Sequence, residues 1–401
     1  MRARVLDPPA RLHAGILAAL MRSGPQSRQQ LAHSTGLDTS TIARTVPALA
    51  AAGWVVESVD RPVTPARGRP GKRVRVRHAH HLAVGVKIGP EKLTGAVTDI
   101  AGGVIVADSL PLSSREPDGV LGMVAEMAQA LTRRGLELVD AADARVIGLG
   151  IGVGGHVVEG RLVVDSHILN WRQVDVSSTV ARATGLPTVT LNDVNALAAG
   201  EHWLGAGRRV DDLAVITIGR GLGCGLVLGG RLHAGTSGSA GELGHLPLLP
   251  DGPLCGCGNR GCLEAVVSDQ AVVAALRERL PGIDIRDFHD ILRLAEAGNP
   301  VVLDGLARTG ELLGRAVASV VNLVNPALVI IAGEMTSGMD FMEQPLRRAT
   351  ADHTFSAGWS ECRLVIDRSG DELWARGAAW LAIRAAVRRP AILSRHIEVG
   401  G

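Results

Sequence analysis

GELGHLPLLPDGPLCGCGNRGCLE, residues 241–264, is the most informative stretch of this 401-residue chain. Three of the five cysteines, Cys255, Cys257 and Cys262, fall within eight residues, and His245 precedes the first of them by ten positions. Three thiolates and one imidazole complete a tetrahedral zinc site with no open position, which is typical of a structural metal. Disulfide bonds are the alternative, and the odd cysteine count disfavours them. The stretch therefore predicts Zn²⁺ bound by these four side chains.

The composition of the whole chain limits its class. With 46% hydrophobic and 20% charged residues, the chain has enough apolar surface for two or three domains with buried cores, which excludes a disordered protein. Every apolar run stops short of 18 residues, so we expect no membrane span. The first residues include Arg2, Arg4 and Asp7 and lack the long apolar core of a secretory signal, which predicts a cytoplasmic protein.

Charge is divided unevenly along the chain. Residues 1–80, which we call the head, carry 13 Lys and Arg against 4 Asp and Glu, a formal charge of +9, whereas the remainder carries −7. Residues 61–77 alone hold seven basic side chains and no acidic one. A basic head on an acidic remainder predicts that only the head contacts a polyanion such as DNA.

The head has the pattern of a helix-turn-helix. Apolar residues at helical spacing predict a first helix that ends near Gly24, and Ser27 with Gln30 forms a capping box for a second helix. Gly36 lies in a tight turn, and Asp38 can cap a third helix. A short helix, a glycine turn and another helix are the features of the DNA-binding helix-turn-helix motif.

Two alternating segments, residues 55–57 and 74–77, predict the strands of a wing next to this motif. The third helix of such a domain enters the major groove with its first turn, which offers four side chains to DNA: Thr39, Ser40, Thr41 and Arg44. A basic helical bundle that binds protein is the alternative. The charge of the head and its turn chemistry both favour DNA.

The segment between the wing strands resembles the core of an AT-hook. Residues 67–71 read RGRPG, and an extended stretch of this kind lays Arg67 and Arg69 along a narrow minor groove. The enhanced negative potential of A·T-rich minor grooves attracts arginine. A flexible basic linker that contacts only phosphates is the alternative. We expect Arg67 and Arg69 to contact DNA.

The rest of the chain alternates strands with helices, which predicts an α/β fold made of two related units. Strands are predicted at residues 82–88, 93–100, 146–153, 214–218, 225–228 and 328–332, and helices at residues 118–134, 303–323 and 371–388. In the last helix, four apolar residues fall toward one side: Leu373, Trp380, Ile383 and Val387.

The motifs of this part resemble those of the ROK proteins, a family of repressors, open reading frames and sugar kinases. Residues 241–264 are similar to the family signature in order and spacing. Residues 192–195, Asn-Asp-Val-Asn, resemble its catalytic segment, and residues 218–223 resemble its second phosphate loop. The resemblance covers about residues 80–390, and the helix-turn-helix head is typical of the repressor branch.

The resemblance implies a two-lobed, actin-like sugar kinase fold with a sugar in the cleft between the lobes, preceded by an all-α winged helix-turn-helix domain. Residues 1–80 would be the winged domain and residues 81–401 the ROK domain. The smaller lobe would be about residues 81–190 with the helix at 371–388, and the larger lobe about residues 191–370.

By the same resemblance, sugar hydroxyls would contact six residues, one of which, His245, would also ligate zinc: Gly155, Asn192, Asp193, Glu242, His245 and Glu264. Carboxylates suit this role because they accept charge-assisted hydrogen bonds from hydroxyl groups. Zinc on one imidazole nitrogen would also fix the direction of the other N–H.

Both phosphate-binding segments of ROK kinases are altered here. Kinases of the family carry Asp-x-Gly-Gly-Thr after the first strand, where this chain has KIGPE at residues 87–91. A carboxylate for magnesium and a backbone N–H are thereby lost. Arg220 stands in the second loop, where a small hydroxyl residue is usual. Because phosphoryl transfer depends on positioning and charge neutralisation, we expect no use of ATP. Lys87 and Arg220 are interpreted as surface bases, with anion binding as the alternative.

These features together predict a sugar-responsive transcription regulator, a repressor of carbohydrate genes and not an enzyme. It would bind a double-stranded DNA operator as a homodimer or homotetramer and respond to a monosaccharide or sugar phosphate. Asp193 would accept a hydrogen bond from a sugar hydroxyl rather than take its proton. A sugar kinase with Asp193 as base and a protein-binding scaffold are the alternatives. A kinase needs intact phosphate loops, and a scaffold needs neither polar cleft residues nor a groove-reading helix.

Overall fold

The computed structural model describes residues 8–59, 72–356 and 358–388. These residues divide into two compact units, which we describe separately. Unit 1 contains the residues up to Asp193 and those from Ala375 onward, and unit 2 is Val194–Trp374. The head therefore belongs to unit 1. The domain boundary at residue 80 and the lobe bounds stay predictions.

The head contains the predicted three helices and two wing strands: α1 (Pro8–Ser23), α2 (Arg28–Thr35), α3 (Thr39–Ala51), β1 (Val55–Val59) and β2 (Lys72–Val76). The capping box is confirmed, because Ser27 accepts a hydrogen bond from the Gln30 N–H and the Gln30 side chain accepts one from the Ser27 N–H. Gly36, in the left-handed conformation, ends α2, and Asp38 caps α3.

The wing packs against the helices through a small apolar core. Strands β1 and β2 pair in antiparallel fashion, with Val55 opposite Val76, and Gln26 forms a further bridge to Val74. The Arg28 guanidinium lies 2.7 Å from the Glu57 carboxylate and ties α2 to β1. The buried apolar side chains of the head are Ile16, Leu17, Leu20, Leu31, Ile42, Val46, Leu49, Trp54, Val55, Val74 and Val76.

The rest of unit 1 is built on a five-stranded sheet. Its strands are β3 (His81–Ile88), β4 (Lys92–Asp99), β5 (Val104–Pro111), β6 (Arg145–Val153) and β10 (Thr188–Asn192). The order is β10-β6-β3-β4-β5, with β3, β6 and β10 parallel. A smaller sheet and two helices complete it: β7 (His156–Val158), β8 (Leu162–Ser166), β9 (Trp171–Asp175), α4 (Pro117–Leu138) and α5 (Val176–Thr184).

The C-terminal helix α13 (Glu372–Arg388) lies directly on this sheet through its residues from Ala375 onward. A Cβ atom at Gly150 of β6 would collide with the Ala378 carbonyl oxygen, so the helix backbone touches the strand. The four residues predicted to face one side are all buried. Ala375, Ala378 and Ala379 are buried too, so the apolar surface of α13 is wider than predicted.

Unit 2 has a second five-stranded sheet, made of β11 (Leu213–Ile218), β12 (Leu222–Leu228), β13 (Arg231–Leu232), β14 (Leu328–Ala332) and β15 (Arg363–Ile366), in the order β13-β12-β11-β14-β15. Its helices are α6 (which starts at the unit boundary, Asp193–Leu204), α7 (Glu264–Val267), α8 (Asp269–Arg279), α9 (Phe288–Glu296), α10 (Pro300–Val324), α11 (Met339–His353) and α12 (Gly358–Glu361).

The two sheets share one topology. In each, the first strand in sequence (β3 or β11) pairs antiparallel with the next strand and parallel with a later strand, β6 or β14. The prediction of two related α/β units is therefore confirmed. Among the described helices, none combines the length and the apolar character that crossing a membrane requires.

Candidate functional site

The four predicted metal ligands of unit 2 converge on one point. The ligand atoms of His245, Cys255, Cys257 and Cys262 all lie within 4.8 Å of one another. Cys255 Sγ is 3.7 Å from His245 Nδ1, and Cys257 Sγ is 3.6 Å from Cys262 Sγ. Tetrahedral zinc, with bonds of about 2.3 Å to sulfur and about 2.0 Å to nitrogen, places its ligand atoms about 3.5–3.8 Å apart. All the cysteines are free thiols, and this donor set fits zinc.

Backbone contacts shape residues 245–262, which we call the metal loop. Pro247 pairs with Cys262 in an isolated antiparallel bridge, and the Leu249 N–H donates to the Gly261 carbonyl oxygen (3.2 Å). Gly261 has a φ of 71°, and a Cβ there would collide with the Leu249 carbonyl oxygen. Only glycine fits such a position without strain. This is how a glycine-rich sequence brings three cysteines to one side of a small loop.

The three thiols of the metal loop differ in how readily they ionise. Burial raises the pKa of Cys262 to about 12 and also raises the pKa of Cys255. A backbone hydrogen bond from Asn259 lowers the pKa of Cys257. Thiolate is the form that binds metal, so a bound cation favours the ionised thiols. A closed set of three thiolates and one imidazole would stiffen the loop rather than activate water.

Two carboxylates that were expected at the sugar flank the metal loop. His245 directs Nδ1 toward the cysteines, and its Nε2 lies 3.8 Å from Oε2 of Glu242, whose side chain is 61% exposed. Glu264, the first residue of α7, accepts a hydrogen bond through Oε2 from the Leu222 N–H (3.0 Å). A metal on Nδ1 would therefore fix an imidazole whose second nitrogen faces Glu242.

The predicted sugar residues of unit 1 meet at the carboxyl ends of three parallel strands. Ile88 of β3 is in register with Val153 of β6, which in turn pairs with Asn192 of β10. The residues that follow these strands therefore lie side by side, in the position where open α/β sheets bind ligands. The Asn192 amide donates a hydrogen bond to the Gly155 carbonyl oxygen (3.1 Å).

Gly155 has a backbone that only glycine adopts without strain. Its φ is 120°, and a Cβ would collide with the carbonyl oxygen of Asp165 and with Ser166. A Cβ at the neighbouring Gly154 would lie 3.9 Å from Asp193 Oδ2. Gly155, Asn192 and Asp193 are therefore brought together at the strand ends.

Lys87 also reaches this group of residues. Its Nζ lies 3.9 Å from Asp193 Oδ2, and the two side chains are 13% and 15% exposed. The interpretation of Lys87 as a surface base is wrong: the strand end is covered, and a covered ammonium requires a carboxylate partner. The pair was missed from the sequence, although a lone lysine in the apolar strand of residues 82–88 is the signal that could have predicted it.

In unit 2, residues 219–223, which we call the glycine loop, direct polar groups to protein partners. The Gly219 N–H donates to the Gly221 carbonyl oxygen (3.1 Å), and the Leu222 N–H donates to Glu264. A Cβ at Gly219 would collide with the carboxylate of Glu334, so that carboxylate lies against the loop. The pairing of β11 with β14 explains this, because Gly219 and Glu334 both follow the carboxyl ends of these parallel strands.

The predicted DNA-contacting residues of α3 lie in its first two turns. Thr39, Ser40 and Arg44 are exposed, and Thr41 is partly exposed. The Ser40 and Thr41 hydroxyls donate to the Asp38 carboxylate (2.5 and 2.8 Å). These hydrogen bonds, that from Ser40 first, hold the pKa of Asp38 well below its ordinary value. Each of the two hydroxyl oxygens can still accept a hydrogen bond, and Arg44 supplies positive charge. Arg67 and Arg69 lie outside the described residues, so their contacts stay predictions.

Comparisons with known proteins agree with this geometry. The family model described as the ROK family matches residues 83–385. The xylose repressor of Bacillus subtilis strain 168 is 26% identical over 92% of this chain and 94% of its own length. A crystal structure of a ROK family transcriptional regulator, a homologue of the E. coli MLC protein, has a TM-score of 0.81 at 27% identity and covers 97% of this chain and 99% of that one. A ROK family glucokinase from Streptomyces griseus, in complex with glucose and AMPPNP, has a TM-score of 0.66 at 28% identity and covers 75% of this chain and 98% of that one.

Proposed function

This chain belongs to the ROK family, and we propose that it is a sugar-responsive, DNA-binding transcription regulator that represses genes of carbohydrate uptake or metabolism. It uses no ATP. The observation that carries the proposal is the winged helix-turn-helix of the head, with the first turn of α3 exposed and Arg44 on its surface. The similar regulator covers 97% of this chain, whereas the glucokinase covers 75%. The regulator likeness thus extends beyond the part of the chain shared with a kinase.

The proposed DNA interface is the first two turns of α3 with the wing on its flank. Thr39, Ser40, Thr41 and Arg44 contact base edges and phosphates in the major groove, and Arg67 and Arg69 contact the minor groove. One head offers only a small surface, so we propose that a homodimer or homotetramer places two heads on a symmetric operator.

The proposed effector is a monosaccharide or a sugar phosphate. Gly155, Asn192 and Asp193 of unit 1 and Glu242, His245 and Glu264 of unit 2 bind its hydroxyl groups. Fixed carboxylate acceptors suit a ligand that is rich in hydroxyl donors. A zinc ion on His245, Cys255, Cys257 and Cys262 holds the loop that carries His245, which supports sugar binding indirectly.

Two contacts support the absence of kinase activity. The Lys87 ammonium lies beside Asp193, where a ROK kinase is expected to carry a carboxylate for magnesium and to use Asp193 as base. In the glycine loop, backbone N–H groups donate to protein acceptors and Glu334 adds negative charge. Phosphoryl transfer requires a carboxylate that holds magnesium and free donors around the phosphates. Lys87 stands in place of the first, and the glycine loop directs its donors to protein oxygens, so both features oppose transfer.

Fluorescence anisotropy tests the proposal directly. The purified protein is titrated onto DNA from upstream of its own gene, with and without a panel of free and phosphorylated sugars. We expect a change of about 5–150-fold in DNA affinity for one sugar. Affinity should also fall steeply with salt, because each phosphate contact releases counterions. If the protein fails to bind this DNA even at low salt, its binding site is then sought by selection from random DNA sequences. Failure of that selection as well would refute the regulator proposal.

The kinase alternative is tested by ADP release across the same sugars. The glucokinase relatives and the retained Asp193 make this the required control. We expect no turnover above background. Turnover that disappears in the Asp193→Asn variant would establish the kinase instead.

A further inference from the structure

The head is joined to the sheet of unit 1 by two stacked rings. Trp54, which follows α3, stacks on His81, the first residue of β3, with ring centroids 4.1 Å apart and an interplanar angle of 12°. Trp54 is fully buried and His81 is 2% exposed. A buried, close-packed ring pair transmits displacement because it has no space in which to yield.

Further contacts position the two rings. The Arg77 N–H donates to the Trp54 carbonyl oxygen (3.0 Å), and Arg145 of β6 lies 3.2 Å from His81 Nε2. Burial lowers the pKa of His81 to about 3, so the ring is neutral at physiological pH and its Nε2 can accept from the guanidinium. His81 and Arg145 are also paired residues of the parallel strands β3 and β6.

An exposed ion-pair cluster lies beside the rings. Asp143 is 2.8 Å from His80 Nε2 and 3.4 Å from the Arg77 guanidinium, but its side chain is 64% exposed. Exposed pairs of this kind contribute little to stability. The buried ring pair is therefore the firm connection, and the Asp143 cluster serves as a matched control.

The other end of β3 lies in the proposed sugar site. Lys87, six residues after His81, has its Nζ 3.9 Å from Asp193, and β6 leads from Arg145 to Gly154 and Gly155. An extended strand rises about 3.3 Å per residue, so His81 and Lys87 are about 20 Å apart. Strand β3 pairs with β6 along this span, with one irregularity between Leu82 and Val84, and a buried apolar surface supports it, so we expect the span to be stiff.

We propose that strand β3 couples the sugar site to the DNA-binding head, with Lys87 and Asp193 as the sensing end and the Trp54–His81 ring pair as the transmitting end. The inference rests on the proposed function, and it names the residues that would connect sugar binding to DNA binding. Sugar that engages Asp193 changes the Lys87 contact, displaces β3 along with β6, and shifts the head through the ring pair. Loss of the ring pair uncouples the two sites without removing either one.

A double-mutant cycle on DNA affinity tests this without knowledge of the sugar. Lys87→Met, His81→Ala and the double variant are titrated onto DNA from upstream of the chain's own gene. The effects of two substitutions this far apart on binding free energy normally add, so the affinity of the double variant is predicted to within about twofold. We expect Lys87→Met to change DNA affinity at least fivefold in the natural background and less than twofold in the His81→Ala background.

Three further variants separate coupling from simple damage. His81→Phe keeps a ring on Trp54 and should restore the response to Lys87→Met. Asp143→Asn removes the exposed pairs but leaves both rings in place, and it should leave the response intact. Thermal melting identifies any variant that is unfolded, and Asp193→Asn replaces Lys87→Met as the perturbation if the latter fails to fold.

A second experiment adds D-glucose or D-xylose and measures sugar affinity and DNA affinity on the same samples. We expect His81→Ala to bind sugar as the natural protein does but to lose the sugar effect on DNA. An equal effect of Lys87→Met in both His81 backgrounds, or no effect in the natural one, would overturn the coupling. Absence of DNA binding by the natural protein would instead count against the proposed function.

Discussion

The metal loop and the glycine loop are both glycine-rich segments of unit 2, but they direct their polar groups in opposite ways. The metal loop brings four donor atoms within 4.8 Å of one another. In the glycine loop, the N–H groups of Gly219 and Leu222 donate to protein oxygens, and the Glu334 carboxylate lies against Gly219. Glycine permits tight backbone, but the neighbouring side chains decide whether a loop binds a ligand or is closed by its own protein.

Substitution of a predicted metal ligand should change stability more than any other variant, and it tests whether the metal loop binds a metal. We expect Cys257→Ser to reduce bound zinc to near zero and to lower the melting temperature clearly, because structural zinc contributes folding free energy directly. Metal analysis and thermal melting measure both. Cys362→Ser, at a buried cysteine outside the cluster, is the matched control. An unchanged melting temperature together with a full sugar response would refute a structural metal.

Removal of zinc by a chelator should separate the two units functionally. The head belongs to unit 1 and the metal loop to unit 2. Because the metal loop lies outside the unit that carries the head, we expect DNA affinity without sugar to stay within about twofold, while the sugar effect on DNA binding is lost. Anisotropy with and without sugar measures both, and added zinc should restore the response. If DNA affinity is lost together with the sugar effect, the metal stabilises the head as well as unit 2.

Glu264 follows the metal loop by two residues in the chain and touches the glycine loop directly. Glu264→Gln keeps an oxygen for the Leu222 N–H but removes the negative charge. We expect sugar affinity to fall about 10- to 150-fold, the effect of about 1.5–3 kcal/mol for a charge-assisted hydrogen bond. Calorimetry with the sugar that changes DNA affinity measures this. Glu334→Gln is the control, and an equal loss there would place Glu264 in a merely structural role.

Substitutions in and beside the glycine loop should have the smallest effect of all, which is measured as ATP turnover. We expect Arg220→Thr combined with Glu334→Gly to give no ADP release with glucose, because Lys87 still lies beside Asp193. A coupled assay measures turnover, and thermal melting confirms folding. If the double variant does turn over ATP, the glycine loop alone had blocked catalysis, and the proposed effect of Lys87 is wrong.

Local chemistry made much of the fold predictable. The capping box of Ser27 and Gln30, the Asp38 cap and the strand at residues 328–332 were all predicted from short stretches, and the structure has them. The cysteine cluster was equally local. In the two caps and the cysteine cluster the partners lie within about 20 residues, so the backbone itself brings them close, and the strand at residues 328–332 was predicted from its continuous apolar run.

Contacts between distant segments were not predictable in this way. Lys87 was interpreted as a surface base because a single position does not reveal which strand end it reaches. Its contact with Asp193 exists because β6 pairs with β3 on one side and with β10 on the other. The Glu334 carboxylate at Gly219 and the Trp54–His81 ring pair have the same origin in strand order and packing.

Residue type and spacing were enough to predict the head, the two α/β units and the cluster of one histidine and three cysteines, because they dictate helix caps, strands and a compact donor set. Three contacts are visible only in the folded chain: the Lys87 ammonium at Asp193, the Glu334 carboxylate at Gly219 and the ring pair that joins the head to β3. These depend on the pairing of strands far apart in sequence, whose register is set by the burial of whole sheet faces.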